Sequence, residues 1–415
     1  MRASEAALRI VESSYAWRRL GAALAILSIG SAGMYSMSVA LPPVQAEFAV
    51  ARAEASLPYT LVMLGFGLGC VAMGRFADRY GVLLTVLVGA LGLGSGYIAA
   101  AQATSLWQFS LVHGVLIGFL GSASTFAPLV ADISLWFTRR RGIAVAILMS
   151  GVFVAGIWPP VLQHFFGLYG WRNTLTGFGV FCLVTLPVLA LALRGRPPAW
   201  NSDTAAAGAT QAQPLAGHHR ELGMSQRGLQ GLLFISGISC CVAMSMPQVH
   251  LVAYCADLGI APARGAEMMT VMMACGIVSR LACGWISDRI GGVRTLLLGA
   301  VLQGLALALF LPYRGLVEMY VVAALFGLFQ GGIVPSYALI VRRYFDARAV
   351  GLQTGTVLMA TCLGMALGGW LAGVIYDATG SYRAAFINGM AWDTITIAIA
   401  LWLLYRAKIL SPARA

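Results

Sequence analysis

GRFADRYG at residues 74–81 and GWISDRIG at residues 284–291 are two copies of one pattern, 210 residues apart. YGWR, which ends at Arg172, matches GSYR, which ends at Arg383, at nearly the same spacing. SLWFTRRRGIAV, from residue 134, similarly matches VRRYFDARAVGL, from residue 341. Three matches at nearly one spacing predict two copies of one structural unit in the same orientation.

The composition is that of a membrane protein. Of the 415 residues, 59% are hydrophobic and 10% are charged, whereas a soluble domain has about 25% charged residues. Apolar stretches of about 20 residues can cross the hydrocarbon layer, and backbone polar groups in lipid require that they be helices. Twelve such stretches are predicted, at roughly residues 18–41, 55–74, 82–102, 107–132, 143–165, 172–194, 229–253, 264–287, 292–312, 316–341, 350–375 and 384–405. The predicted fold class is an all-α membrane protein with twelve transmembrane helices in two six-helix pseudo-repeats.

A polar segment rich in Pro, Ala and Gly divides the predicted helices into six and six. Its composition is typical of a flexible linker. The predicted domains are an N-terminal tail at 1–17, a first bundle at 18–194, a linker at 195–227, a second bundle at 228–405 and a C-terminal tail at 406–415.

Basic residues predict the orientation, because they favour cytoplasmic loops. Basic residues recur in the tails and loops on the side of the membrane that contains both termini. Arg19 is one of these basic residues. The opposite loops contain only Arg52, Arg172, Arg264, Arg314 and Arg383. Both termini are therefore predicted to be cytoplasmic, in the inner (plasma) membrane if the source is bacterial. Asp132 is assigned to the cytoplasmic rim. The net charge of +12 needs no nucleic-acid partner.

The repeated pattern resembles the G-x-x-x-D-R-x-G signature of the major facilitator superfamily, and the resemblance covers essentially the whole chain. It implies that fold, transport by alternating access, and a gate at the cytoplasmic rim. Val82, Leu83 and Leu84 stand where the family has trailing basic residues. The gate residues that it implies are Gly74, Asp78, Arg79, Gly284, Asp288, Arg289, Arg139 and Arg140. The structural alternative is a tight turn that only joins two helices.

Within that superfamily, the sequence is similar to the monocarboxylate and oxalate–formate porter branch. WFTRRRGIAVAILMSGVFVAGIWPP at 136–160 and Arg280 in helix 8 carry this resemblance. It implies that Arg280 binds a substrate carboxylate. The chain departs from the branch at Gly276, where animal-type porters have an acid, and in having one lysine, Lys408. The predicted helix 11 has no basic residue, so Arg280 is left without a second central cation. One cation favours a monocarboxylate over a dicarboxylate.

Arg280 is the cation predicted deepest in the membrane. None of its helical neighbours Gly276, Ile277, Cys283 and Gly284 is acidic. An unpaired charge there costs at least a few kcal/mol, and a guanidinium binds a carboxylate with two parallel hydrogen bonds. We expect an organic anion as its partner. An acid on another helix, or extension of the side chain towards the cytoplasmic face, is the alternative.

Further candidates are polar or titratable residues in the predicted helices. Candidate substrate-binding residues besides Arg280 are Gln330, Tyr35, Tyr337 and Gln248. Candidates for proton coupling are His250, His113 and Asp393, although either histidine could be structural and donate to a backbone carbonyl. GLFQGGIVPSY, at 327–337, should break helix 10, because its glycines and Pro335 do not favour a continuous helix.

The predicted function is secondary transport of a small organic anion, a monocarboxylate, by proton symport or exchange with a counter-anion. The alternative is a drug or metabolite efflux antiporter of the same fold in which Arg280 is structural. The chain is predicted to be monomeric in the lipid bilayer. No enzyme activity, cofactor, metal site or nucleic-acid binding is expected.

Overall fold

The computed structural model describes residues 13–137, 140–195, 223–312, 315–345 and 350–410. Within these ranges, every regular element is helical, and twelve helices are long and apolar enough to cross a membrane. The all-α class and the twelve spans are therefore confirmed, while the cytoplasmic location of the termini stays a prediction. The spans are α1 Ser14–Phe48, α2 Arg52–Tyr80, α3 Val82–Gln102, α4 Leu106–Trp136, α5 Gly142–Tyr169, α6 Trp171–Leu193, α7 Gln226–Asp257, α8 Pro262–Ile290, α9 Gly292–Leu309, α10 Leu316–Tyr344, α11 Leu352–Thr379 and α12 Tyr382–Ala407.

Several helices are longer than predicted, α1 most of all. Ser13 caps the start of α1, and its hydroxyl accepts a hydrogen bond from the amide of Ala16 at 3.3 Å, which satisfies one of the free donors of the first turn. Ala49, which follows the last residue of the helix, is in the left-handed conformation. Polar residues at both ends of α1 therefore belong to the helix, although hydropathy alone excluded them.

The repeat is visible in the backbone as two matching tight turns. Gly81 (φ 86°) joins α2 to α3, and Gly291 (φ 84°) joins α8 to α9. In each turn a threonine hydroxyl four residues later donates to the glycine carbonyl, from Thr85 at 2.9 Å and from Thr295 at 3.0 Å. A positive φ favours glycine, which explains why the last glycine of each sequence pattern is present.

Close packing between helices depends on small residues. The backbone of α2 at Gly65 and Gly69 lies directly against Gly114 and Phe119 of α4, so that a side chain at either α2 glycine would collide with α4. The adjoining segment of α4, His113–Ser122, is π-helical, an uncommon geometry. Small residues let helices approach in lipid, where apolar surface alone gives no preference for protein over lipid.

The chain forms two compact units. The first comprises Met1–Ala199, Gln248–Ala274 and Gly369–Gly380, and the second comprises Trp200–Pro247, Cys275–Gly368 and Ser381–Ala415. Of the predicted linker, residues 196–222 lie outside the described residues, as do residues 1–12 and 411–415 of the tails. The predicted domain boundaries stay a prediction.

Candidate functional site

Arg280 lies in α8, in the second unit, and its side chain is half-buried. The stretch of α8 around it packs against α10, because Gly331 faces Gly276 and Ser279, and Gly332 faces Cys283. No side chain fits at either α10 glycine without displacing α8. Arg280 therefore emerges from the stretch of α8 that touches the middle of α10.

The predicted break of helix 10 is present at this contact. The helix ends at Gln330 and resumes at Ile333. Pro335 has no amide hydrogen, so the carbonyl of Gly331 loses its usual partner four residues later, and the hydroxyl of Ser336 donates to the carbonyl of Gly332 at 2.8 Å. Gln330, 2% exposed, is the last residue before the break. Of the predicted binding residues, Arg280 and Gln330 thus lie on adjoining backbone segments.

The other predicted binding residues are buried elsewhere. The hydroxyl of Tyr337 lies 2.8 Å from Ser236 Oγ and donates to Cys240 Sγ at 3.3 Å, so it joins α10 to α7 within the second unit. Tyr35 and Gln248 are buried in the first unit, at 8% and 5% exposure. Burial at these three positions fits packing as well as binding, and no contact selects between the two.

Both candidate histidines bond to backbone carbonyls. His113 Nδ1 lies 2.8 Å from the carbonyl of Phe109, and the two rings are 4.2 Å apart. His250 Nε2 lies 2.7 Å from the carbonyl of Gly369 in α11, within the first unit. These contacts agree with the structural alternative stated for each histidine. The third candidate for proton coupling, Asp393, is buried in α12 at 1% exposure.

The predicted gate residues lie near the ends of α2 and α8. Asp78, Arg79, Asp288 and Arg289 are exposed, and no ion pair of either aspartate occurs among the described residues. A Cβ added to Gly74 or Gly284 would meet nothing within 4 Å. Arg140 is exposed, and Arg139 lies outside the described residues. The gate stays a prediction.

A buried ion pair in the first unit was not predicted. Arg19 Nε donates to Asp132 Oδ2 and Arg19 Nη2 donates to Asp132 Oδ1, both at 2.8 Å. The residues are 0% and 6% exposed, and the guanidinium lies 4.6 Å from the Trp136 ring centre. The assignments of Arg19 to topology and of Asp132 to the rim therefore missed their contact. The basic start of helix 1 and the lone acid of helix 4 were signals, but their pairing required knowing which helices touch.

A second unpredicted cluster lies in the first unit, just after the end of α1. Arg52, at the start of α2, binds Asp257 at the end of α7 through two hydrogen bonds of 3.1 and 3.3 Å. Asp377 of α11 accepts the amides of Arg52 and Ala53 at 2.9 and 2.8 Å, and the Tyr376 ring centre lies 4.3 Å from the guanidinium. We call Arg52, Asp257 and Asp377 the distal latch. It ties α2 to the ends of α7 and α11.

The sequence profile of the Major Facilitator Superfamily matches residues 22–311 and 233–414. Monocarboxylate transporter 13 of Rattus norvegicus is 29% identical over 337 residues, which cover 80% of this chain and 75% of that protein. Monocarboxylate transporter 11 of Homo sapiens is 28% identical over 393 residues, which cover 91% and 80%. These relatives are named as transporters, so the expectation of a transporter rather than an enzyme is confirmed.

Solved structures of the same fold are similar over nearly the whole chain. A bacterial homolog of the human lysosomal transporter Spinster, in an inward-facing and unoccupied conformation, has a TM-score of 0.69 at 15% identity, covering 96% of each chain. A peptide transporter POT in complex with alafosfalin has a TM-score of 0.70 at 14% identity, covering 92% of this chain and 94% of that one. The chain belongs to the major facilitator superfamily, and its relatives agree with the monocarboxylate branch that the sequence predicts.

Proposed function

We propose that this transporter carries a small organic anion, a monocarboxylate, and that Arg280 binds the carboxylate. The observation that carries the proposal is the position of Arg280, a half-buried guanidinium on the stretch of α8 that packs against the broken α10. A guanidinium matches the two oxygens of a carboxylate. The break also leaves backbone polar groups that can bind a polar solute inside the membrane.

The relatives support the same substrate class. Their names assign monocarboxylates to proteins that are 28–29% identical to this chain over most of its length. A charged residue within a membrane helix usually has a transport role, which is a second reason to prefer an anion to an apolar cation. A cationic substrate would be repelled by Arg280.

We further propose alternating access, with the distal latch on the outer side and the glycine–aspartate–arginine turns on the cytoplasmic side. The latch fits a gate, because it joins three helices through partly exposed charges that solvent can replace at small cost. The coupling partner is a proton or a counter-anion. The termini are cytoplasmic, the protein acts as a monomer, and a bacterial source would place it in the inner membrane.

Ligand binding tests the proposal, because a ligand that binds only the folded state raises the melting temperature. Thermal unfolding of the purified protein is measured with acetate, lactate, pyruvate, benzoate, oxalate and tetraphenylphosphonium. We expect one or more monocarboxylates to stabilise the wild type and Arg264→Gln, but not Arg280→Gln. Arg264 is the matched control, since it lies on the same helix and is 55% exposed in a pair with Glu267.

Equal stabilisation of wild type and Arg280→Gln by a carboxylate would contradict the role of Arg280. Stabilisation by the apolar cation alone would contradict the anion proposal and support the efflux alternative. Arg280→Lys separates charge from geometry, because lysine retains the charge but loses the planar fork. We expect it to restore only part of the stabilisation.

A further inference from the structure

Asp393 lies in the middle of α12, in the second unit, and is 1% exposed. No side chain of the described residues donates a hydrogen bond to either carboxyl oxygen, and the backbone of Gly304 in α9 is the polar group that approaches it. Its Oδ2 faces α9, because a Cβ added to Gly304 would lie 3.1 Å from it. Burying an ionised carboxylate without a side-chain donor or a counter-charge is costly in free energy, so this environment favours the neutral, protonated acid.

The residue that precedes Gly304 in α9 offers an acceptor. Gln303 precedes Gly304 and is fully buried. Its Nε2 donates to the carbonyl of Cys240 in α7 at 3.0 Å, which fixes the amide, while its Oε1 has no donor within the described ranges. A protonated carboxyl group has one O–H donor, whereas a carboxylate has none. Protonation of Asp393, which faces the neighbouring residue Gly304, therefore supplies the kind of donor that Gln303 Oε1 lacks.

The first half of the repeat has no such pair. At the spacing of the repeat, Leu93 of α3 corresponds to Gln303, and Cys182 of α6 corresponds to Asp393. Leu93 and Cys182 are both fully buried, and α3 packs on α6 through Gly94, as α9 packs on α12 through Gly304. Because the same packing is achieved with two apolar side chains, the fold does not require an acid and an amide at these positions.

We infer that Asp393, with Gln303 as its hydrogen-bond acceptor, is a proton-binding site inside the second unit and carries the proton that couples transport. The coupling part of this inference rests on the proposed function, whereas proton binding does not. The ligand is a proton taken from water, held on one carboxyl oxygen of Asp393 and shared with Gln303 Oε1.

Few other titratable groups lie near this site. From α7 and α10 they are the thiols of Cys240 and Cys241 and the hydroxyl of Tyr337, all buried and all neutral near pH 7 in their ordinary state. The charged residue of α9 is Arg294, nine positions from Gln303, or about 13 Å along the helix. On α12 itself, Arg383 and Arg406 are ten or more positions from Asp393. Proton binding at Asp393 thus has no close ionic competitor on these helices.

A chain of hydrogen bonds connects this region to the broken helix. Thr396, one turn after Asp393, donates to the carbonyl of Ser236 in α7 at 3.3 Å. The hydroxyl of Ser236 bonds to Tyr337, which lies four residues after Ile333, where α10 resumes. This network is a physical route by which the protonation state of Asp393 in α12 and the position of α10 can affect each other.

Infrared difference spectroscopy tests proton binding directly. A protonated carboxyl has a carbonyl stretch separate from the bands of a carboxylate. We expect such a band at pH 7 in the wild type and in Glu267→Gln, whose carboxylate is exposed and ion-paired. The band should be absent in Asp393→Asn and shifted in Gln303→Leu. Its presence unchanged in Asp393→Asn, or its absence from the wild type, would overturn the inference.

A sodium ion is the other cation that could neutralise Asp393. In that case the band is missing and NaCl, but not choline chloride, raises the melting temperature of the wild type and not of Asp393→Asn. That result would also overturn the proton site.

Proteoliposomes test the coupling. With an inward proton gradient of one pH unit, a one-proton symporter accumulates its monocarboxylate about tenfold, using whichever probe stabilises the protein in the binding experiment. We expect Asp393→Asn and the double variant Asp393→Cys with Gln303→Leu, which copies the first half, to give a ratio of about one while unlabelled probe still exchanges for labelled probe.

Gradient-driven accumulation by these variants equal to the wild type would overturn the coupling part of the inference. If no carboxylate binds or moves in the wild type, the proposed function fails, and the infrared result still decides whether Asp393 binds a proton.

Discussion

Asp132 and Asp393 are both buried acids, but only Asp132 has a counter-charge among the described residues. In the first unit, Asp132 receives two hydrogen bonds from Arg19 and is 6% exposed. In the second unit, Asp393 is 1% exposed, faces Gly304 and has no counter-charge among the described residues. The first arrangement neutralises a carboxylate with a fixed partner that belongs to the fold. The second requires a partner from solution, and this is the signature expected of a site that binds and releases an ion.

The largest expected effect is that of removing the partner of Arg19. Asp132→Asn leaves a buried guanidinium without a counter-charge, and we expect the free energy of unfolding to fall by about 3–5 kcal/mol. Thermal unfolding in detergent measures it. The double change Arg19→Met with Asp132→Leu should recover most of the loss, because an apolar pair of similar size replaces a buried ion pair at little cost. A loss of unfolding free energy no larger than that of Asp393→Asn would contradict the proposed difference between the two acids.

The next largest difference in stability is expected between alanine substitutions at two glycines. Gly94 lies between α3 and α6, and Gly304 lies at the corresponding contact between α9 and α12. Gly94→Ala places a Cβ against Leu183 and 2.9 Å from the carbonyl of Gly179, whereas Gly304→Ala meets only Asp393 Oδ2, at 3.1 Å. Overpacking costs about 1–3 kcal/mol, so Gly94→Ala should lower the melting temperature more than Gly304→Ala. The reverse order would show that the Asp393 side chain is held more rigidly than its missing donors indicate.

Asp377 in the distal latch is a third acid. It has hydrogen-bond donors, and it does not depend on a buried counter-charge. It accepts two amides at the start of α2, as a helix-capping residue does. Asp377→Ala should cost about 1 kcal/mol and speed hydrogen exchange at Ala53. Asp257→Asn, which removes the charge paired with the Arg52 side chain and leaves the two amide contacts of Asp377 in place, should leave exchange at Ala53 nearly unchanged. Equal exchange in the two variants would argue against the capping role.

The smallest expected change in stability is that of Asp393→Asn. An amide replaces a neutral carboxyl with a group of the same shape and retains a donor for Gln303 Oε1. We expect the melting temperature to be unchanged or raised at pH 7, and gradient-driven transport to be lost. A large destabilisation would indicate an ionised Asp393 with a counter-charge, and would make the two acids alike.

The fold could be predicted from local features of the sequence. Apolar length gave the twelve spans, the repeated glycines gave the matching turns at Gly81 and Gly291, and the glycines with Pro335 predicted the break of α10. The ion pairs could not be found in this way, because Arg19 and Asp132 are 113 residues apart and Arg52 and Asp257 are 205 apart. Pairing at such distances depends on which helices touch, and the sequence pattern does not contain that information.

The candidate site was predicted only in part, for the same reason. Arg280 and Gln330 could be selected as a charge and an amide near a helix break, and the structure brings their backbone segments together. Tyr337 met the same sequence criteria, and the structure adds that its hydroxyl bonds to Ser236 and Cys240, contacts that fit packing as well as binding. A polar residue in an apolar helix can bind a substrate or a neighbouring helix, and the sequence pattern is the same in both cases.

Uptake of a labelled monocarboxylate into proteoliposomes, compared among wild type, Arg280→Gln and Arg264→Gln, tests the central claim most directly. The probe is the carboxylate that most stabilises the wild type. Loss of one charged hydrogen-bonded contact of about 3 kcal/mol corresponds to a fall of roughly a hundredfold in apparent affinity. We predict such a fall for Arg280→Gln and wild-type uptake for Arg264→Gln. Uptake by Arg280→Gln with wild-type affinity would contradict the assignment of Arg280 as the residue that binds the substrate carboxylate.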